Sequence, residues 1–175
     1  VKGVFEARYK GFKTKADASL WLAGGARYES KAHVHARLVP GIYFDAGTGR
    51  GNGVEISVTD EKGADLLHEA LPKKKINAHG KHLLDAVATN NYGELLACRY
   101  AITIATKRDI QKVFGDSALI INYWSKGFIK KNELPERTVK LSLLVTKLRK
   151  EYESAGGSLA HISGDDNPAD LGFHR

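Results

Sequence analysis

Apolar positions along this chain switch between a two-residue and a three-to-four-residue period, and the switches mark out its elements. In Gly41-Ile42-Tyr43-Phe44-Asp45-Ala46-Gly47-Thr48-Gly49, alternation puts Tyr43 and Asp45 on one face of a strand and Ile42 and Phe44 on the other. Val54, Ile56 and Val58 alternate with polar residues as a second strand, and 60–63 reads as a hairpin turn. Residues 64–71 are expected to form a third strand, which would complete an antiparallel meander. The period then lengthens: Tyr92, Leu95, Leu96, Arg99, Tyr100, Thr103 and Ile104 recur at helical steps. Residues 110–115 read as a fourth strand and 118–124 as a short helix. Pro135 opens a long amphipathic helix with Val139, Leu143, Leu144, Leu148 and Tyr152 expected on its buried side, and Gly156-Gly157 stops it. Residues 159–162 read as a fifth strand, 163–168 as an acidic turn, and Ala169 as the start of a last helix. The class this predicts is α/β.

Residues 1–38 stand apart from this pattern. A basic, aromatic run (Arg8, Tyr9, Lys10, Phe12, Lys13) precedes a helix expected from Lys15 to Leu22 with Thr14 as its N-cap. Such a mixture suits a nucleic-acid backbone and equally a small packed strand with solvated lysines. We therefore expect two parts, an N-terminal basic segment with linker over 1–38 and a larger domain over 39–175. The chain starts at Val1 and contains no Met, which leaves open that it is a fragment.

Charge narrows the partners. Lys and Arg outnumber Asp and Glu 27 to 20, a net +7, and a cationic surface suits a polyanion such as nucleic acid. Cys98 is the sole cysteine, so no internal disulfide forms and a cytoplasmic setting is expected. Cys98 sits in the helical apolar pattern and reads as core. No run of the chain is apolar enough to suggest a membrane span, and no membrane partner is expected. A monomer is expected.

The acidic minority carries the chemistry. Asp45 ends the first strand, Glu94 starts the first long helix, Asp116 follows the fourth strand and Asp170 opens the last helix. In α/β sheets, sites form where strand ends meet helix starts. Four carboxylates gathered there repel unless cations screen them, and all-oxygen ligands suit hard ions, Mg²⁺ first. The alternative is four unrelated acids at caps and turns.

The phrases Asp45-Ala-Gly-Thr-Gly, Thr89-Asn90-Asn91-Tyr92-Gly93-Glu94, Gly115-Asp116-Ser117 and Asn167-Pro168-Ala169-Asp170 occur in that order. Together, over residues 40–175, they resemble the type 1 ribonuclease H family. The resemblance implies a ribonuclease H-like fold, a five-stranded mixed sheet (three antiparallel strands, then parallel ones) with helices on both faces. It implies hydrolysis of the RNA strand of RNA/DNA hybrids, leaving 5′-phosphate and 3′-hydroxyl ends, by two Mg²⁺ ions, with Mn²⁺ as a substitute. Asp45, Glu94, Asp116 and Asp170 match the family's catalytic, metal-binding carboxylates. Thr89, Asn90 and Asn91 match its minor-groove readers, which suits the exposed 2′-hydroxyls of that groove. Gly47, Thr48, Ser117 and Arg50 are further candidates for substrate contact.

The chain also departs from the family. The loop Ser163-Gly164-Asp165-Asp166-Asn167 lacks the histidine that other members carry there. Asp166 is expected to assist the metal site, while His161 reads as structural and His174 lies near the site in sequence. The basic protrusion of some members is reduced to Lys126-Gly-Phe-Ile-Lys130-Lys131, which could hold DNA phosphates, as could Lys73, Lys74 and Lys75. Residues 8–22 resemble the latter half of a viroplasmin-like hybrid-binding domain. Two other readings stay open: a catalytically silent hybrid-binding module, and another nuclease of the same superfamily. A 3′-to-5′ exonuclease would carry D-x-E on the first strand, and position 47 is Gly.

Overall fold

The structure, a computed structural model, describes residues 12, 14–25, 38–48 and 51–171. The N-terminal basic run and most of the linker therefore lie outside the described residues, as do Arg50 and His174. Helix α1 (Lys15–Ala23) forms where Thr14 accepts the Asp17 N–H at its N-terminus, and the Phe12 and Trp21 rings meet at 5.5 Å.

The remainder is built on one five-stranded sheet, in the order β3-β2-β1-β4-β5. The strands are β1 (Ile42–Gly47), β2 (Glu55–Asp60), β3 (His82–Leu83), β4 (Lys112–Gly115) and β5 (Ser158–His161). β1 pairs antiparallel with β2 and parallel with β4; β3 runs antiparallel to β2, and β5 parallel to β4. The five-stranded mixed sheet that the resemblance implies is therefore present, with β1 at its centre.

One strand differs from expectation. Residues 64–71 pair only through a bridge between Thr59 and Asp65, then turn in a 3-10 segment (Leu67–Glu69) that buries Leu67. The third strand is His82–Leu83 instead. Lys81, just before it, is buried and donates from Nζ to Ser57 Oγ (2.8 Å) and Asp65 Oδ1 (2.5 Å). That tie closes the polar loop over β2.

Helix α2 (Asn90–Arg108) packs on β1 and β2 through Leu95, Ala97, Cys98, Ala101 and Ile102, against Ile42, Phe44, Ala46 and Ile56. Cys98 is wholly buried, and burial pushes its thiol up to about 12, so it acts as a packing residue. The approach is close because Gly93 has no side chain; a Cβ there would lie 2.6 Å from Val54 Cγ1 and 3.0 Å from Ala46 Cβ. Helix α3 (Ala118–Asn122) adds Ile120 and Ile121 to the same core.

Helix α4 (Glu136–Ser154) buries Leu141, Val145 and Tyr152, together with the polar Thr138, Ser142 and Arg149. Leu143 and Leu144, expected inside, are exposed. The polar positions win the interior because their partners are there. Ser142 Oγ donates to the Trp124 carbonyl (2.7 Å), and Arg149 Nη1 donates to the Ile121 carbonyl and Ser125 Oγ, both at 2.6 Å. The last helix expected from Ala169 does not form through residue 171; residues 167–170 make a turn.

A candidate carboxylate metal centre

Asp45 lies on the central strand, 5% exposed, and on the face opposite Ile42, Phe44 and Ala46. Glu94 comes in the second turn of α2, 4% exposed, and reaches the sheet because Gly93 lets the helix approach. Asp116 follows β4 directly. Gly115 is forced at the preceding position, since a Cβ there would sit 2.3 Å from the Phe44 ring. Each of the three carboxylates offers an oxygen within 4.8 Å of the others.

The cluster is electrostatically strained in the absence of a cation. Two like charges about 4 Å apart repel by roughly 4 kcal/mol at an effective dielectric constant near 20. Burial pushes Glu94 far above the usual carboxylate range, and the charges of Asp45 and Asp116 add to it. Burial raises Asp45 too, then Asp116, with the Leu171 backbone N–H working the other way. Asp116 is raised by burial, which an amide from Asn167 partly offsets. No salt bridge among the described residues involves these three.

The donor set fits a hard divalent cation. All the available atoms are carboxylate oxygens, and Glu94 Oε2 is buried with no hydrogen-bond partner. A buried, unpaired oxygen in a ring of like charge is costly unless something positive faces it.

Asp170 lies beside this group and outside it. It is half-buried in the turn after Asn167, and its charge acts on both Asp45 and Asp116. Asp166 is exposed in a 3-10 turn (Gly164–Asp166) whose first residue approaches Asp116 Oδ2. Thr89 caps α2 by accepting the Tyr92 N–H (3.2 Å), and Asn90 and Asn91 are exposed in its first turn. Asn90 is four residues before Glu94, so both lie on one helix face. Thr48 is exposed, Gly47 packs against Leu171, and Ser117 caps α3 through the Ile120 N–H. His161 Nε2 lies 2.9 Å from the Asp116 carbonyl.

One participant escaped the sequence reading. Asn167 is 2% exposed and donates from Nδ2 to the Phe44 carbonyl (3.0 Å) and Asp116 Oδ2 (3.2 Å). Asn in Asn-Pro suggests a turn and nothing more, so only its long-range partners reveal it. The Leu171 N–H likewise donates to Asp45 Oδ2 at 2.5 Å.

Beyond the cluster, Lys130 and Glu133, which pair with each other, line a groove of about 390 Å³ with Leu119, Tyr123, Trp124, Phe128 and Leu134, and Lys126 and Lys131 are exposed. A cavity of about 340 Å³ between the C-terminal halves of α2 and α4 includes none of the carboxylates.

Strand order and strand sense decide the architecture. Both match the mixed sheet that the resemblance to ribonucleases H implies. Among solved structures, the chain is similar to RNase H1 from the halophilic archaeon Halobacterium salinarum NRC-1, with 18% identity and a TM-score of 0.44, over 75% of this chain and 90% of that one. It is also similar to the N-terminal RNase H domain of rv2228c from Mycobacterium tuberculosis, solved as a fusion with maltose-binding protein (19% identity, TM-score 0.36, 70% of this chain and 83% of that one). No protein-family profile and no curated protein sequence matches the chain.

Proposed function

We propose that this chain is a metal-dependent endoribonuclease that cuts the RNA strand of RNA/DNA hybrids. The observation that carries the reading is the convergence of Asp45, Glu94 and Asp116, with Glu94 Oε2 buried and unpartnered. These three carboxylates would hold the cations, and Asp170 would complete their shell. Divalent cations in such a site, Mg²⁺ or Mn²⁺, supply an activated water and neutralise charge on the leaving oxygen. Hydrolysis there would join a water oxygen to the scissile phosphorus and break the P–O3′ bond, with a proton from water ending on O3′, to leave a 5′-phosphate and a 3′-hydroxyl.

The remaining residues orient the duplex. Asn90 and Asn91 offer both donors and acceptors to the 2′-hydroxyls of the RNA strand, on the turn of α2 that leads to Glu94. Thr89, Gly47, Thr48 and Ser117 contact the backbone around the scissile phosphate. The exposed Lys126, Lys130 and Lys131 take the DNA strand. Asp166 has an assisting role from the solvent side of the site.

The test is a labelled RNA/DNA hybrid incubated with the protein in Mg²⁺, Mn²⁺ or EDTA. Cleavage of the RNA strand is expected with either metal and none with EDTA. Asp116→Asn abolishes cutting and keeps hybrid binding. Binding without metal-dependent cutting by the unmodified chain would overturn the proposal in favour of a silent binding module.

A further inference from the structure

We propose that Asn167 is a positioning residue that fixes the Asp116 carboxylate against the middle of β1 and so sets how tightly the cluster holds a divalent cation. The inference rests on the reading of that cluster as a cation site.

Three contacts converge on this one side chain. Its Nδ2 donates both to the Phe44 carbonyl and to Asp116 Oδ2, and its Oδ1 accepts the Ala169 N–H at 3.1 Å. Phe44 immediately precedes Asp45, so a single amide ties the carboxylate after β4 to the backbone beside the carboxylate of β1. The site needs such a tie. Asp116 is the least buried of the three acids and follows the last residue of β4, so the strand's own pairing does not hold its side chain. Repulsion from Asp45 and Asp170 would swing it outward. An Nδ2–H donor holds one oxygen without neutralising it, so the carboxylate stays available to a cation while its rotamer is fixed. An Arg or Lys at position 167 could not serve, because its charge would compete with the ion.

Burial supports the assignment. A 2% exposed Asn whose two side-chain ends are both used is an organised group, and its partners lie 51 and 123 residues away in sequence. Outer hydrogen-bond partners of metal ligands commonly change affinity by about ten- to a hundred-fold when removed.

The experiment is calorimetric titration of the full chain with Mn²⁺, paired with thermal melting in EDTA. The variants are Asn167→Ala and the near-isosteric Asn167→Leu, with Ser142→Ala as a distal control that also loses a buried hydrogen bond. Either Asn167 variant is expected to bind Mn²⁺ about ten-fold more weakly. Ser142→Ala is expected to melt earlier and keep its Mn²⁺ affinity. Unmodified chain that binds Mn²⁺, with an Asn167 variant binding equally well, would overturn the role of Asn167 alone. Unmodified chain that takes up no Mn²⁺ would overturn the cation-site reading itself.

Discussion

Asp45 shows how one side chain can serve function at the expense of stability. Burial and the charge of Asp116 raise its proton affinity above that of an unfolded Asp; burial with the charges of Asp45 and Asp116 does the same for Glu94, and burial with the charge of Asp170 for Asp116. Without metal, the folded chain therefore binds more protons than the unfolded one at pH values above about 4. Its stability must fall as pH rises from there through the raised values, and the penalty vanishes below the unfolded values. Asp45→Asn keeps an oxygen for the Leu171 N–H and removes one charge. It should stabilise the metal-free chain by ~1–3 kcal/mol at pH 8, a melting point higher by ~2–4 °C per kcal/mol in EDTA. The gain should shrink towards pH 4; an unchanged or lower melting point at pH 8 would contradict it. At this scale the three clustered acids were legible, because each lies in or directly after an element with a clear period, although Asp45 falls inside β1, which runs on to Gly47, and not at its end. Asn167 was not, because its role exists only through Phe44 and Asp116, which no local pattern connects to it.

Elements were legible where a period had room to show itself. β1, β2 and α2 fell where alternation and helical spacing put them. β3 did not: two residues carry no period, and its pairing depends on the Lys81 tie to Ser57 and Asp65. Helix α4 failed for another reason. Apolar spacing pointed to Leu143 and Leu144, yet the inward stripe includes Thr138, Ser142 and Arg149, and the partners of Ser142 and Arg149 are carbonyls and a hydroxyl of the 121–125 segment. Hydrophobic pattern cannot see a buried polar group that is satisfied. Arg149→Ala should accordingly cost ~2–4 kcal/mol, since it strands the Ile121 carbonyl and empties buried volume. Urea unfolding measures it, and a loss below about 0.5 kcal/mol would show that the network contributes little.

Across the whole molecule, a net charge of +7 surrounds a small, buried knot of negative charge. That contrast suits a polyanion drawn to the surface and a cation held at its centre. The carboxylates lie outside the 340 Å³ cavity, as a duplex substrate requires, since a double helix needs a face rather than a pocket. No helix among the described residues is long and apolar enough to cross a membrane. The motif resemblance, more than the apolar pattern, anticipated this architecture, in which the central position of β1 brings Asp45 beside Glu94 of α2 and Asp116 after β4. The most direct measurement is anomalous diffraction from a crystal soaked in Mn²⁺. Peaks within ~2.0–2.3 Å of carboxylate oxygens of Asp45, Glu94 and Asp116 are predicted, and a fully soaked crystal with no manganese at these oxygens would contradict the account.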